Sequence, residues 1–221
     1  FTKIGREMSV CIKAGGPDPA VNGKLRDLIA KAKSLNVPND NIQRIIKKAQ
    51  GGEKDDYESI TYEGYGPNGI AMMVETLTDN RNRTAGNLRH YFDKFGGNLG
   101  NNGCVGFLFS EQGVIVLDVE GKDEETVMED AFDAGADDFD MADDVAEITT
   151  SPAAFSEVRQ ALENKGYSFI SAEVAMVPST RTALTDPDAL KNMGLLLDHL
   201  EDDDDVQNVW HNLENEEDLD R

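Results

Sequence analysis

The sequence is poor in the residues on which most catalytic and secreted proteins rely. It has two cysteines, Cys11 and Cys104, far apart in the chain. That excludes a disulfide framework and fits a reduced, cytosolic protein in which both thiols are small core residues. Its only histidines, His90, His199 and His211, lack the spacing of a zinc site. There is no G-x-x-x-x-G-K-[ST] loop and no G-x-S-x-G elbow. The carboxylate run Glu201 to Asp205 lacks the alternate-ligand spacing and glycine of a calcium loop, and reads as a helix-to-strand linker. No enzyme class is indicated, and neither a cofactor nor a metal is expected. There is no apolar run of membrane-spanning length and no signal peptide, so a cytoplasmic location away from membranes is expected. The chain opens on Phe1 rather than Met, which places its natural N-terminus upstream.

Positive charge is also scarce, with 21 Lys and Arg against 43 Asp and Glu among 221 residues, a formal net charge of −22. It is not evenly spread. Residues 1–54 carry a net +6, residues 55–113 −4, residues 114–177 −14 and residues 178–221 −10. A basic head on an acidic body is a functional clue, because the body repels polyanions and leaves only the head and a few isolated arginines to approach phosphate. The competing reading is that the asymmetry serves solubility alone.

The chain is organised around Leu77 to Gly100. The apolar, β-prone run Ile70 to Leu77 arrives as a strand. Thr78, Asp79 and Asn80 supply turn and N-cap chemistry. Leu88, Phe92 and Phe95, with Ala85 and Tyr91 beside them, give the following helix one apolar face, and Gly96-Gly97 stops it. Arg81 and Arg83 sit at the helix start, where the dipole end is already positive, and an anion there would relieve them. A phosphate contact at Arg81 and Arg83, with Arg89 further along, is one reading. Ion pairing of both with Asp79 or Glu75 is the other.

Three helices are expected before this stretch. The first spans 2–14, capped by Thr2 and ended by Gly15-Gly16-Pro17. The second spans about 20–35, with Leu25, Leu28, Ile29, Ala32 and Leu35 inward. The third spans 41–50, behind a break at Val37 to Asp40, with a stripe of Ile42, Ile45, Ile46 and Ala49. On the opposite face of the third helix Arg44, Lys47 and Lys48 cluster, the tightest basic group in the chain, able to track a phosphate backbone or simply to be solvated. Gly51 to Asp56 reads as a linker. Strands follow at Tyr57–Glu63 and Gly69–Leu77. The literal G-x-G-x-x-G at Gly64, Gly66 and Gly69 lies between strands with proline inside, so it is not a dinucleotide site. Cys104 to Ser110 is expected as a strand with Val105, Phe107 and Phe109 on one face. Such aromatics can stack bases, but no basic residue opens the segment, and core packing is expected.

From Gly113 the pattern alternates: strand 114–119, helix 124–134, strand 145–150, helix 152–165 and strand 167–177, a small acidic domain of ferredoxin-like type. The helix 187–200 and strand 206–211 are too little for a domain and are expected to return to the sheet of residues 55–112. The expected class is α+β with three domains. These are a helical basic head (1–54), a central α/β domain (55–112 plus 178–221) and an acidic ferredoxin-like domain inserted into it (113–177).

Several stretches together resemble the YebC family, whose mitochondrial members act as translational activators of cytochrome oxidase. They are Phe1-Thr2-Lys3-Ile4, Val37-Pro38 to Lys47, Tyr62 to Pro67, Asp79 to Thr84, Phe95 to Gly100, Ala172-Glu173-Val174 with Pro178-Ser179-Thr180, and Leu200 to Asn212. The resemblance runs in order over essentially the whole chain. It implies the same three domains and a non-enzymatic regulator of gene expression, either a DNA-binding transcriptional regulator or a ribosome-associated translation factor on ribosomal RNA, with a monomer favoured. It also favours the phosphate reading of Arg81 and Arg83. Family members begin with a short basic segment that is absent here. On this reading the candidate nucleic-acid contacts are Lys3, Arg6, Lys13, Arg26, Lys33, Arg44, Lys47, Lys48, Arg81, Arg83 and Arg89. The alternative is an acidic protein-interaction module without direct nucleic-acid binding.

Overall fold

The computed structural model describes residues 1–52 and 56–221, so half of the expected linker at 51–56 lies outside the described residues. The chain divides into two compact units, one of residues 1–109 with 178–221 and one of residues 110–177.

In the first unit, helix α1 (Thr2–Gly15), α2 (Gly23–Ser34) and α3 (Asn39–Gln50) enclose Ile4, Met8, Ile12, Leu25, Ala32 and Ile42. Thr2 does not cap α1, whose N-cap is Phe1. Asn22 caps α2 by accepting from Leu25 N, and its amide donates to the carbonyls of Cys11 and Gly16, which ties α2 to α1. Leu35 falls just beyond the end of α2 and is exposed rather than inward, because the helix stops a residue before its apolar stripe would bury it.

Strand β1 (Glu58–Tyr65) and β2 (Ala71–Thr78) form an antiparallel pair around a 3-10 turn at Pro67–Gly69. Helix α4 (Arg81–Lys94) follows β2 and leads into the short β3 (Asn98–Leu99), which pairs with β1. Gly97 and Gly64 permit this pairing. A Cβ on Gly97 would stand 2.3 Å from the Tyr65 carbonyl, and one on Gly64 2.6 Å from the Asn98 carbonyl.

The second unit opens with β4 (Phe109–Asp118), then α5 (Glu124–Ala134), β5 (Asp138–Ala142), β6 (Val145–Thr150), α6 (Phe155–Asn164) and β7 (Ser168–Pro178). The sheet order β5-β6-β4-β7 with this β-α-β-β-α-β succession is a ferredoxin-like topology. Ile115, Leu117, Ala146 and Ile148 meet Val127, Ala131, Val158 and Leu162 in its core. Strand β5 does not stand out in the sequence, because Asp138 and Asp140 make it look like solvated loop. Its alternate residues Phe139 and Met141 pack against the core opposite Ile148 and Ala146.

The chain re-enters the first unit with α7 (Pro187–Asp202) and β8 (Val206–His211), and β8 pairs antiparallel with β2. The order β3-β1-β2-β8 is thereby complete. Helices α4 and α7 bury Leu88, Phe92, Met193, Leu196, Leu197 and Leu200 against Ile70, Met72 and Val74 of β2 and its approach. Each such side chain contributes about 1.5–3 kcal/mol through burial.

Of the expected strand Cys104–Ser110, only Phe109 and Ser110 are in strand, as the start of β4. Gly106–Leu108 is a 3-10 turn, Val105 and Phe109 are buried, and Phe107 is 76 % exposed. The cause is Glu63. Its buried carboxylate accepts the backbone N–H groups of Gly103 (2.6 Å), Val105 (3.3 Å) and Gly106, which bends the chain around it and leaves no ladder to form.

Candidate nucleic-acid interface

The eleven cations singled out in the sequence fall into different settings. Helix α3 is amphipathic by the spacing of its isoleucines, so burying Ile42 turns Gln43, Arg44, Lys47 and Lys48 to the exposed side. Lys13 and Lys33 are also exposed, in the last turns of α1 and α2, where a cation complements the helix dipole, and Arg26 is half-buried on α2. The turn Leu35–Pro38 that joins α2 to α3 carries Asn36 in the left-handed region (φ 58°).

Lys3 and Arg6 are on the other side of their roles. Both leave α1 toward the turn between α7 and β8. Lys3 donates to the Glu201 carbonyl, and burial pushes its ammonium down in spite of Asp203, Asp204, Glu201 and Asp202 around it. Arg6 donates through Nη1 to the Leu77 carbonyl (3.1 Å), the Asp204 carbonyl (3.1 Å) and Asp205 Oδ1 (2.8 Å). Its guanidinium lies 4.8 Å from the centroid of the Tyr57 ring. Burial alone would lower its pKa, but the Asp205 hydrogen bond together with the nearby charges of Tyr57, Asp205 and Asp204 outweighs that and raises it.

Asp205 is the meeting point. It is 3 % exposed and receives Arg83 as well: Nε at 3.2 Å, and Nη2 at 2.9 and 3.0 Å from the two oxygens. Thr84 Oγ1, fully buried, donates to it at 2.9 Å. Burial pushes the Asp205 carboxyl up, and the hydrogen bonds from Arg6, Thr84 and Arg83 more than reverse this, leaving it below the usual carboxylate range. The start of α4 explains the geometry. Asn80 caps the helix by accepting from Arg83 N, and Thr84 Oγ1 also meets Thr78 Oγ1, so Arg83 and Thr84 are fixed side by side facing the α7–β8 turn. The anion that relieves the positive end of α4 is therefore internal.

Arg83 also pairs with Asp79 at 2.8 Å, and Arg81 pairs with Glu58 at 3.1 Å, both at exposed positions. Glu75, the other expected partner, is bonded to the Asn208 amide instead. Arg81 and Arg89 share one side of α4. Both pull on the Tyr62 hydroxyl, which burial nevertheless pushes up.

Two family descriptions match this chain: "TACO1/YebC protein N-terminal domain" over residues 1–52, and "TACO1/YebC second and third domain" over residues 57–213. The chain belongs to the TACO1/YebC family. It is 59 % identical over 219 residues to a "Probable transcriptional regulatory protein" of Ruminiclostridium cellulolyticum, spanning 98 % of this chain and 88 % of that one. A protein of the same description from Acetivibrio thermocellus is 57 % identical, over 96 % of this chain and 88 % of its own. The crystal structure of a conserved hypothetical protein from Aquifex aeolicus superposes with a TM-score of 0.85 at 41 % identity, covering 97 % of this chain and 88 % of that one.

In this TACO1/YebC chain the sequence reading missed two organising carboxylates. Asp205 is one of five consecutive acids and carries no spacing signal to separate it from its solvated neighbours. Glu63 had a signal: an acid in a β-strand run, followed by glycine, is out of place unless its carboxylate has donors to satisfy.

Proposed function

We propose that this chain is a non-enzymatic, nucleic-acid-binding regulator of gene expression. The contact is made by the helical head, through the exposed Arg44, Lys47 and Lys48 of α3, with Arg81 and Arg89 of α4 as a second set. The observation that carries this reading is the α3 face. It is a cation cluster on a basic segment of a chain whose remainder is strongly acidic, so phosphate is attracted there and repelled elsewhere. Lys3, Arg6 and Arg83 instead hold the head to the central sheet. The regulatory role is supported by the names that close relatives carry, and those names describe transcriptional regulation. Duplex DNA is further favoured by the short turn between α2 and α3, which has the length used in helix-turn-helix units. Ribosomal RNA suits a backbone-tracking face without base-reading side chains.

The test is a salt titration of binding to duplex DNA and to ribosomal RNA fragments, with the charge reversal Arg44→Glu, Lys47→Glu, Lys48→Glu. The variant should bind weakly, and its slope of log affinity against log salt should be shallower by roughly 2 to 3. Unchanged affinity and slope on both probes would overturn the reading in favour of a protein-interaction role. Crosslinking in cells then separates the two targets, since recovery of one ribosomal RNA region means translation and recovery of discrete duplex sites means transcription.

A further inference from the structure

At 76 % exposure Phe107 is the most exposed aromatic side chain among the described residues of the first unit, ahead of the terminal Phe1 at 72 %. Its exposure is built in. The Glu63 carboxylate pins the backbone at Gly103, Val105 and Gly106. The Tyr65 hydroxyl donates to the Cys104 carbonyl, Leu108 N donates to the Val105 carbonyl, and Ser179 N donates to the Leu108 carbonyl. Gly106 is required for this closeness, because a Cβ there would stand 2.7 Å from Glu63 Oε1. A fold that wanted Phe107 inside needed only the strand its sequence suggests. Instead a buried carboxylate is committed to turning it outward. An apolar side chain carried on a backbone fixed this firmly can make a contact at a lower ordering cost.

The charge around it says what kind of contact. Residues 95–110 contain no Asp or Glu and lie in the longest acid-free run of this chain, and residues 174–185, which the Ser179–Leu108 hydrogen bond ties to the same place, contain none either. The exposed polar groups nearby in sequence are amides and hydroxyls, those of Asn98, Asn101, Asn102 and Thr180, with the exposed cation Arg181. Glu63, the carboxylate at the turn, is buried and spent on backbone donors. A polyanion is thus repelled by most of this surface but not here. An exposed aromatic ring with amides and one guanidinium close by in the chain has the chemistry that takes a nucleobase: a π-face for stacking and donors for the base edge and backbone.

We propose that Phe107 is a stacking platform for an unpaired nucleobase of the nucleic acid that the first unit binds. This rests on the nucleic-acid reading above. The experiment compares Phe107→Ala, Phe107→Leu and Phe107→Tyr in the full chain, using a mixed-sequence single-stranded RNA oligonucleotide and a duplex DNA of the same sequence. On the single strand, Phe107→Ala and Phe107→Leu should both lose about five- to hundredfold in affinity, and Phe107→Tyr should bind as the parent does. The salt slope should stay unchanged, because stacking releases no counterions. The duplex should bind all variants equally. If Phe107→Ala binds the single strand as the parent does while the α3 charge reversal abolishes binding, the stacking role is overturned and the nucleic-acid role stands. If neither change affects binding, both are overturned. If Phe107→Leu retains full affinity, the side chain is an apolar plug, not a stacking ring. As Phe107 is exposed, thermal melts of all three variants should match the parent.

Discussion

The carboxylate of Asp205 should be worth more to this protein than any other surface-proximal acid, and the cost of losing it can be estimated from its partners. Asp205→Asn keeps the shape but removes the charge that faces Arg6 and Arg83. Arg83 is 44 % exposed and water can replace its partner, so its share is small. Arg6 is 15 % exposed and Thr84 is fully buried, so each is left facing a poorer acceptor with little water to compensate. Breaking a buried pair typically costs 3–5 kcal/mol, and with partial solvent access the low end applies, about 3 kcal/mol. For a unit of this size each kcal/mol moves Tm by about 2–4 °C, so the transition of the first unit should fall by about 6–12 °C in calorimetry. A cycle with Arg6→Met should show strong coupling, because Arg6 without Asp205 has already lost its main partner. The pH dependence has a definite sign. Asp205 is depressed in the folded protein, so its stabilisation is fully present above the unfolded carboxylate value of about 3.9 and is lost as pH falls through the lower folded value. The gap between parent and Asp205→Asn should therefore close in acid. Equal melting temperatures at neutral pH, or additive effects of the Arg6 and Asp205 changes, would refute the view that this cluster holds the head.

Glu63→Gln puts an amide donor among backbone donors, and the N–H groups of Gly103, Val105 and Gly106 should then exchange with solvent markedly faster; unchanged protection would show that the turn does not depend on the carboxylate. Gly97→Ala forces a Cβ onto the Tyr65 carbonyl and should destabilise the first unit by roughly 1–3 kcal/mol in urea, whereas Gly86→Ala, with open space around it on α4, should be neutral or stabilising. The Tyr91 hydroxyl is pushed up to about 12 by burial and by its bond to Asp203, so its contribution to stability is present below the free tyrosine value and fades as pH rises toward about 12. In a spectrophotometric titration Tyr91→Phe should remove part of the latest-ionising signal, and loss of signal near pH 10 instead would count against that environment.

How far the sequence could be read depended on whether local pattern or tertiary partner decided the outcome. Helix α5 and strands β6 and β8 were legible to the residue, because periodicity, the Asp123 cap and Gly135 in the left-handed region all act locally. Strand β5 was not, since aspartate is a poor strand former and only the hairpin partner β6 rescues it. The turn at Gly106 was not, since the run Val105, Phe107, Phe109 has strand periodicity and the deciding carboxylate is some forty residues away in sequence. The α3 cation cluster followed from helical spacing alone. The fate of Arg83 did not: both of its sequence-level readings named a phosphate or a near neighbour, and the structure adds Asp205, brought in by the return of β8 to β2.

That return gives the charge pattern a second meaning. Arg6 comes from the basic head, Arg83 from the start of α4 and Asp205 from the last strand connection, so one carboxylate joins three regions far apart in sequence. A buried acid of the acidic body thus anchors the basic head. On the proposed function, anchoring and binding use different cations. Lys3 and Arg6 leave α1 inward, while Arg44, Lys47 and Lys48 leave α3 outward. A change at Arg6 should therefore weaken binding only through stability, and a change at Arg44 should weaken binding while leaving stability intact. A protein in which the head merely conferred solubility would show neither separation.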